Sequence, residues 1–236
     1  MNQIKLGIKV LGLCALVFAV MGMVPSGAAQ AAGTWLVLVG SEVTEGTGGE
    51  LTLEKDTNTI LHSKISGVSV LFECPTIAAV GAKLGAAGTI EKGAKLKYSG
   101  CQTSLNGSVS APCEPTNGGT EKGVFVTKPL HTAFVLNAAK EELTQVLPDE
   151  GETFWVMEMG KECSIGTKVP MIGKLFLKDC QGLFLTHLEK HLLEEGPGTE
   201  LWTISKTEEH KAKLLGSIWA KVFFNGAFRS YAAHAG

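Results

Sequence analysis

Most of the patterns that announce a chemistry are missing from these 236 residues. No Gly-x-Ser-x-Gly sets a nucleophile on a sharp turn. A Gly-rich phosphate loop, a dinucleotide fingerprint and a heptad repeat are also lacking. Without a Cys-x-x-Cys pair there is no zinc ligand set, and the spacing of a calcium-binding loop does not occur. Basic residues do not cluster and the net charge is −2, so nothing suits a polyanion and nucleic acid is excluded as a partner. No cofactor is expected. Aromatics make up 7% of the chain, and Trp35, Trp155, Trp202 and Trp219 each sit inside an apolar run. They read as core residues, not as a row for stacking on sugars.

One long apolar stretch is present. After Lys5 and Lys9 comes VLGLCALVFAVMGMV, uncharged from Val10 to Val24, then a Pro25-Ser26-Gly27 break and the small residues Ala29 and Ala31. That order is a secretory signal peptide, expected over residues 1–31, and the run is short of the ~20 residues a membrane span needs. Both charges lost on cleavage are lysines, which takes the net charge from −2 to −4. The expected product is a secreted, extracellular or cell-envelope protein over 32–236, a single domain with no membrane contact after cleavage.

Outside the cytoplasm cysteines pair. Cys14 leaves with the signal peptide, and Cys74, Cys101, Cys113, Cys163 and Cys180 remain, an odd number. Cys101 and Cys113 flank a loop with the turn signal Asn106-Gly107, which makes them the preferred bridge. Cys163 and Cys180 flank a second candidate hairpin and form a second candidate pair. Cys74 stays unassigned, with Cys101 or Cys163 as partner if their strands are neighbours; spacing does not decide connectivity.

Elsewhere the chain alternates. Thr34 to Val39, Leu51 to Leu53, Ile60 to Ile65, Val68 to Phe72 and Ala94 to Tyr98 read as strands, and so do Val124 to Thr127, His131 to Leu136, Thr153 to Met159, Lys168 to Leu177, Thr199 to Ile204 and Lys213 to Phe224. Gly173 is expected to bend its strand. Residues 77–84 fit strand or short helix, and 138–146 is expected as an elaborated loop ending at Pro148. The tail from Asn225 reads as a fraying end. In 183–195, LFLTHLEKHLLEE, Leu185, Leu188 and Leu192 share a helical face and Gly196-Pro197 ends it. The expected fold is all-β, an antiparallel sandwich or barrel, with one short helix near 183–195.

Cys74, then Gly100-Cys101, Cys113, the strand from Gly123 to Thr127 and Leu130, and later Cys163 and Gly173 form a pattern over 72–175. It resembles a group of small, largely uncharacterised exported bacterial proteins. The resemblance implies a β-rich, disulfide-stapled secreted domain and carries no catalytic residue.

His187 and His191 stand four apart, on one face of the expected helix, and are weak metal-ligand candidates. The zincin pattern needs Glu where Leu188 stands, and its inverted form needs Glu where Lys190 stands. Ser164 and Ser217 lie near glycines but read as ordinary turn hydroxyls. Asp149, Glu150 and Glu152 read as a solvated turn. Asn106-Gly107-Ser108 fits a glycosylation acceptor formally, although a hairpin turn explains it. The function these features support is a non-enzymatic structural or binding protein of unknown ligand, its partner an envelope or extracellular one. The alternative is an extracellular hydrolase whose site is assembled from dispersed residues such as His187, His191 and Glu158.

Overall fold

Strand alternation dominates the computed structural model, which describes residues 29–30, 33–179 and 191–235. In chain order the strands are β1 (Ala29–Gln30), β2 (Gly33–Val39), β3 (Glu42–Glu45), β4 (Glu50–Lys55), β5 (Thr59–Ile65), β6 (Val68–Cys74), β7 (Thr76–Val80) and β8 (Ile90–Ser99). Then come β9 (Gln102–Leu105), β10 (Ser108–Val109), β11 (Thr116–Asn117), β12 (Glu121–Lys122), β13 (Val124–Val126), β14 (Leu130–Leu136), β15 (Glu142–Pro148) and β16 (Thr153–Glu158). The last are β17 (Lys168–Asp179), β18 (His191–Glu195), β19 (Glu200–Ser205), β20 (Glu208–Leu215), β21 (Ser217–Phe224), β22 (Ala227–Arg229) and β23 (Tyr231–Ala235). Every ladder is antiparallel, and among the described residues helix is confined to two single 3-10 turns. The fold is all-β.

Two long strands change partners midway and so divide the sheet. The first part of β17 lies between β16 and β19, and its second part lies between β15 and β18. The change falls at Gly173, at φ 124°, where an added Cβ would overlap the Glu200 carbonyl oxygen. Only glycine permits both that backbone and that approach. Strand β8 pairs first with β14 and then with β7 and β13.

Following the pairings from β4 gives a ring: β4 to β21, β18, β17, β15, β14, β8 and β7. The Glu50–Lys83 bridge closes it, helped by the Leu51 N–H donating to the Ala82 carbonyl (2.9 Å) and the Leu84 N–H to that of Gly49 (2.8 Å). Eight strands make an interior wide enough for packed side chains or for one small ligand. The β2, β3 and β23 sheet covers one end. There Trp35 Nε1–H donates to the Thr89 carbonyl (2.6 Å), and the Trp35 ring packs 4.8 Å from Phe134. Beyond the other end, β16, β17, β19, β20, β5, β6 and β9 form a second sheet. It covers a core in which Tyr98 stacks on Phe125 at 4.6 Å and Trp155 packs at 5.6 Å from Phe125.

Several expectations are corrected. Residues 191–195 are a strand, not the end of a helix: β18 is held between β17 and β21, and those ladders override local helix propensity. Residues 180–190 lie outside the described ones. The expected loop at 138–146 is largely β15, in which Thr144 and Val146 share the inward face. The tail is ordered as β22 and β23, and Tyr231, 2% exposed, packs in the barrel core. Residues 76–80 resolve as strand. Trp35 and Trp155 are core residues; Trp202 and Trp219 are half-buried.

The disulfides also differ. Cys101 pairs with Cys74, not with Cys113. The reason is register: Glu73 opposes Gln102 at the end of the β6–β9 ladder, which leaves Cys74 and Cys101 facing each other, Cα atoms 4.1 Å apart. Cys113 pairs with Cys163, not Cys163 with Cys180. Thr116 opposes Glu158, and the Gly160 N–H donates to the Pro112 carbonyl (3.1 Å), so the segment carrying Cys113 lies against the loop carrying Cys163. The hairpin at Asn106-Gly107 does form, with Leu105 opposite Ser108. Cys180 lies outside the described residues.

Candidate functional site

Alternation sends one side chain in two into the barrel. Leu51 and Leu53 come from β4, Leu96 from β8, Val146 from β15, Leu177 from β17 and Leu193 from β18. At Ala79, Ala82, Ala94 and Ala220 the inward residue is an alanine. Those four short side chains do not reach the barrel axis, and a cavity of about 100 Å³ remains. Trp35 and Tyr231 complete its wall at the covered end. A second cavity of about 50 Å³ shares Leu96, Val146, Leu177, Leu193 and Ile218 with it and extends toward the second core. An apolar cavity of about 150 Å³ stays dry and holds a molecule the size of benzene.

Polar atoms gather at one side of this wall, where the β8–β14 ladder is broken. Leu130 opposes Ala94, but the next pair is Thr132 and Ile90, so Glu91, Lys92 and Gly93 stand against His131 alone. Gly93, at φ 94°, lets the chain turn outward there. The lost ladder bonds are replaced by side chains. Ile90 N–H donates to Thr132 Oγ1 (2.8 Å), and Gly93 N–H donates to Asp149 Oδ2 (2.7 Å). Asp149 Oδ1 takes the other bond, from His131 Nδ1 at 2.8 Å. The pair is well covered, with the His131 side chain 24% exposed and that of Asp149 14%. Since an ionised carboxylate only accepts, Nδ1 carries the hydrogen, and Nε2 is the ring atom left for other partners. Thr132 and Thr144 face the cavity, whereas His131 and the exposed Lys95 each stand between two inward residues and so turn their side chains to the outer face of the wall.

Asp149 was expected in a solvated turn; the His131 contact explains why it is largely covered. Eighteen residues separate the two in sequence, and they meet because Leu130 pairs with Pro148 across β14 and β15. No local pattern reports such a contact. The alanines of β7, β8 and β21 were visible, but only the register shows that they face one interior.

The other candidates do not converge. Glu158 bonds Lys168 (3.1 Å) at one end of β17, while β18, which carries His191, pairs with the opposite end. At about 3.3 Å per residue the two ends of β17 stand roughly 35 Å apart along the strand. His191 stands in a strand, so helical spacing does not apply to it, and His187 lies outside the described residues. Ser217 is buried and donates to Asp56 Oδ2 (2.6 Å), with Thr57 at 3.2 Å and no histidine bonded to it. Ser164 is exposed, next to the disulfide-bonded Cys163. Asn106 Oδ1 accepts from the Ser69 N–H (2.9 Å) and holds the hairpin against β6. Among the described residues no three His, Cys, Asp or Glu side chains come together to hold a metal ion, and no helix is long and apolar enough to cross a membrane.

The smaller cavity is also lined by Glu195, whose Oε2 accepts from the Leu214 N–H (3.0 Å). Burial holds its carboxyl above the usual carboxylate range, against the Leu214 N–H and Lys213, which pull it down. The barrel interior is thus apolar, with the Glu195 carboxyl beside the smaller cavity and the His131–Asp149 pair at the break in the β8–β14 ladder. Compared with protein-family models, with curated proteins and with solved structures, the chain matches none.

Proposed function

We propose that the chain is an exported, non-enzymatic binding protein that encloses a small apolar molecule inside its eight-stranded barrel. The observation that carries this reading is the cavity of about 100 Å³, walled by residues from all eight strands and left open by four inward alanines. A structural domain with no guest gains by filling such a space, since each buried methylene contributes about 0.8 kcal/mol. Export, expected from residues 1–31 and from the likeness to small exported bacterial proteins, belongs to the same proposal. Two disulfides and an all-β fold suit a protein of the oxidising exterior.

Benzene is the probe that tests it. Trp35 lies in the wall, so saturable binding should change tryptophan fluorescence. At ten times Kd a ligand adds about 1.4 kcal/mol of stability, a rise in Tm of about 3–6 °C for a chain of this size. A melting temperature and a fluorescence signal that stay flat up to the solubility limit of benzene would sink the proposal.

A further inference from the structure

A guest held by hydrocarbon alone leaves one inward side chain unexplained. Leu193 lines both cavities, and Glu195 stands two residues further along β18, so alternation sends both the same way. The pairing agrees, because Glu195 opposes Leu177 of β17, which also lines both cavities. The other charged residues of the two linings turn outward: Lys95 and His131 stand between inward residues, and Glu194 bonds Lys178 (3.3 Å). Lys213, the cation nearest in effect, is exposed between Ala212 and Leu214 and so turns away from the interior. Glu195 Oε2 accepts from the Leu214 N–H, and among the described residues Oε1 has no hydrogen bond or ion pair. Burial without an inward cation is what holds this carboxyl above the usual range. An apolar chamber with one unpaired carboxylate in its wall describes a guest whose single polar group is a cation.

We propose that the site selects a small hydrocarbon carrying one primary amine, its chain in the apolar chamber and its ammonium donating to Glu195 Oε1. This rests on the barrel being a binding site. It adds which guest is chosen and which residue chooses it. An ammonium suits the carboxylate because it brings donors and opposite charge together. Leu193 stands about 7 Å along the strand from Glu195, a span that a chain of about six carbons covers.

The test titrates hexylamine, 1-hexanol and hexanoate, with benzene as the apolar control, into the disulfide-bonded chain at pH 8 by calorimetry. At that pH an alkylamine carries its proton, as lysine does. A hydrogen bond to a charged group nets a factor of about ten to a hundred, and solvent screening at a half-exposed carboxyl lowers it. Hexylamine should therefore bind about five- to thirtyfold more tightly than hexanol, with hexanoate weaker than either. Glu195→Gln keeps an acceptor for the Leu214 N–H and removes the charge, so the preference for hexylamine over hexanol should disappear. Hexanol matching hexylamine, or hexanoate binding more tightly than hexanol, would overturn the amine assignment, and both comparisons use the wild-type chain, free of any folding defect. A preference for hexylamine that survives in Glu195→Gln would overturn it too, since attraction to the acidic chain as a whole gives that result. In each of these cases binding of benzene leaves the barrel reading standing, whereas failure of benzene to bind removes both, whatever hexylamine does.

Discussion

Ala220 offers the sharpest test of whether the barrel is hollow. It is fully buried at the middle of β21 and lines the cavity between Leu53 on β4 and the chain of β18. Ala220→Leu adds three carbons. If they enter empty space, each contributes about 0.8 kcal/mol, a gross gain of about 2.4 kcal/mol. Fixing a leucine rotamer costs about 0.5–1 kcal/mol, so the net gain is about 1.5 kcal/mol. For a chain of this size that raises Tm by about 3–6 °C, measured by circular dichroism with the disulfides intact. Benzene should then lose its stabilising effect, because the side chain occupies its place. A packed interior gives the opposite sign, since forcing methylenes into a full core costs about 1–3 kcal/mol. A lowered Tm would refute the hollow barrel.

The two disulfides close segments of 27 and 50 residues, for which loop-closure entropy gives about 3.5 and about 4 kcal/mol. Urea denaturation should show Cys113→Ala/Cys163→Ala losing at least as much as Cys74→Ala/Cys101→Ala, and non-reducing peptide maps should show only these two pairings among the four. Gly173→Ala meets both a left-handed backbone and the Glu200 carbonyl, so a loss of at least about 3 kcal/mol is expected, against about 1–2 kcal/mol for Gly40→Ala, where the backbone is left-handed but the space is open. For Glu195 the carboxyl is raised in the folded chain, so the folded form holds the proton more tightly than the unfolded one. Stability from this source is complete below the ordinary carboxylate range and is lost as pH rises through the raised value. Glu195→Gln keeps an acceptor for the Leu214 N–H, and its advantage in Tm over wild type should be larger at pH 7 than at pH 4.

What was legible in the chain was whatever depends on near neighbours. Leu51 to Leu53 and Ala94 to Tyr98 announced strands through alternation, Asn106-Gly107 announced its hairpin, and Gly173 its bend. What depends on which strand lies beside which was not legible. Residues 142–148 carry two leucines, a threonine and a valine at intervals that suit a loop or helix as well, and only the flanking β14 and β17 make them a strand. The same holds for 191–195. Cys101 sits closer in sequence to Cys113, yet the β6–β9 register delivers it to Cys74. His131 and Asp149 were each visible as residues and invisible as a pair. The cavity was hidden for the same reason, since its emptiness comes from four alanines on three strands and the segment after β7.

Where an apolar guest sits is read directly by methyl-resolved NMR of the leucine-, valine- and isoleucine-labelled chain. On titration with benzene, shifts and contacts are predicted at Leu51, Leu53, Val146, Leu177, Leu193 and Ile218, while Val70 and Val169 in the second core stay still. Unmoved barrel methyls at saturating benzene, or contacts centred on Val70 and Val169 instead, would contradict a guest in the barrel.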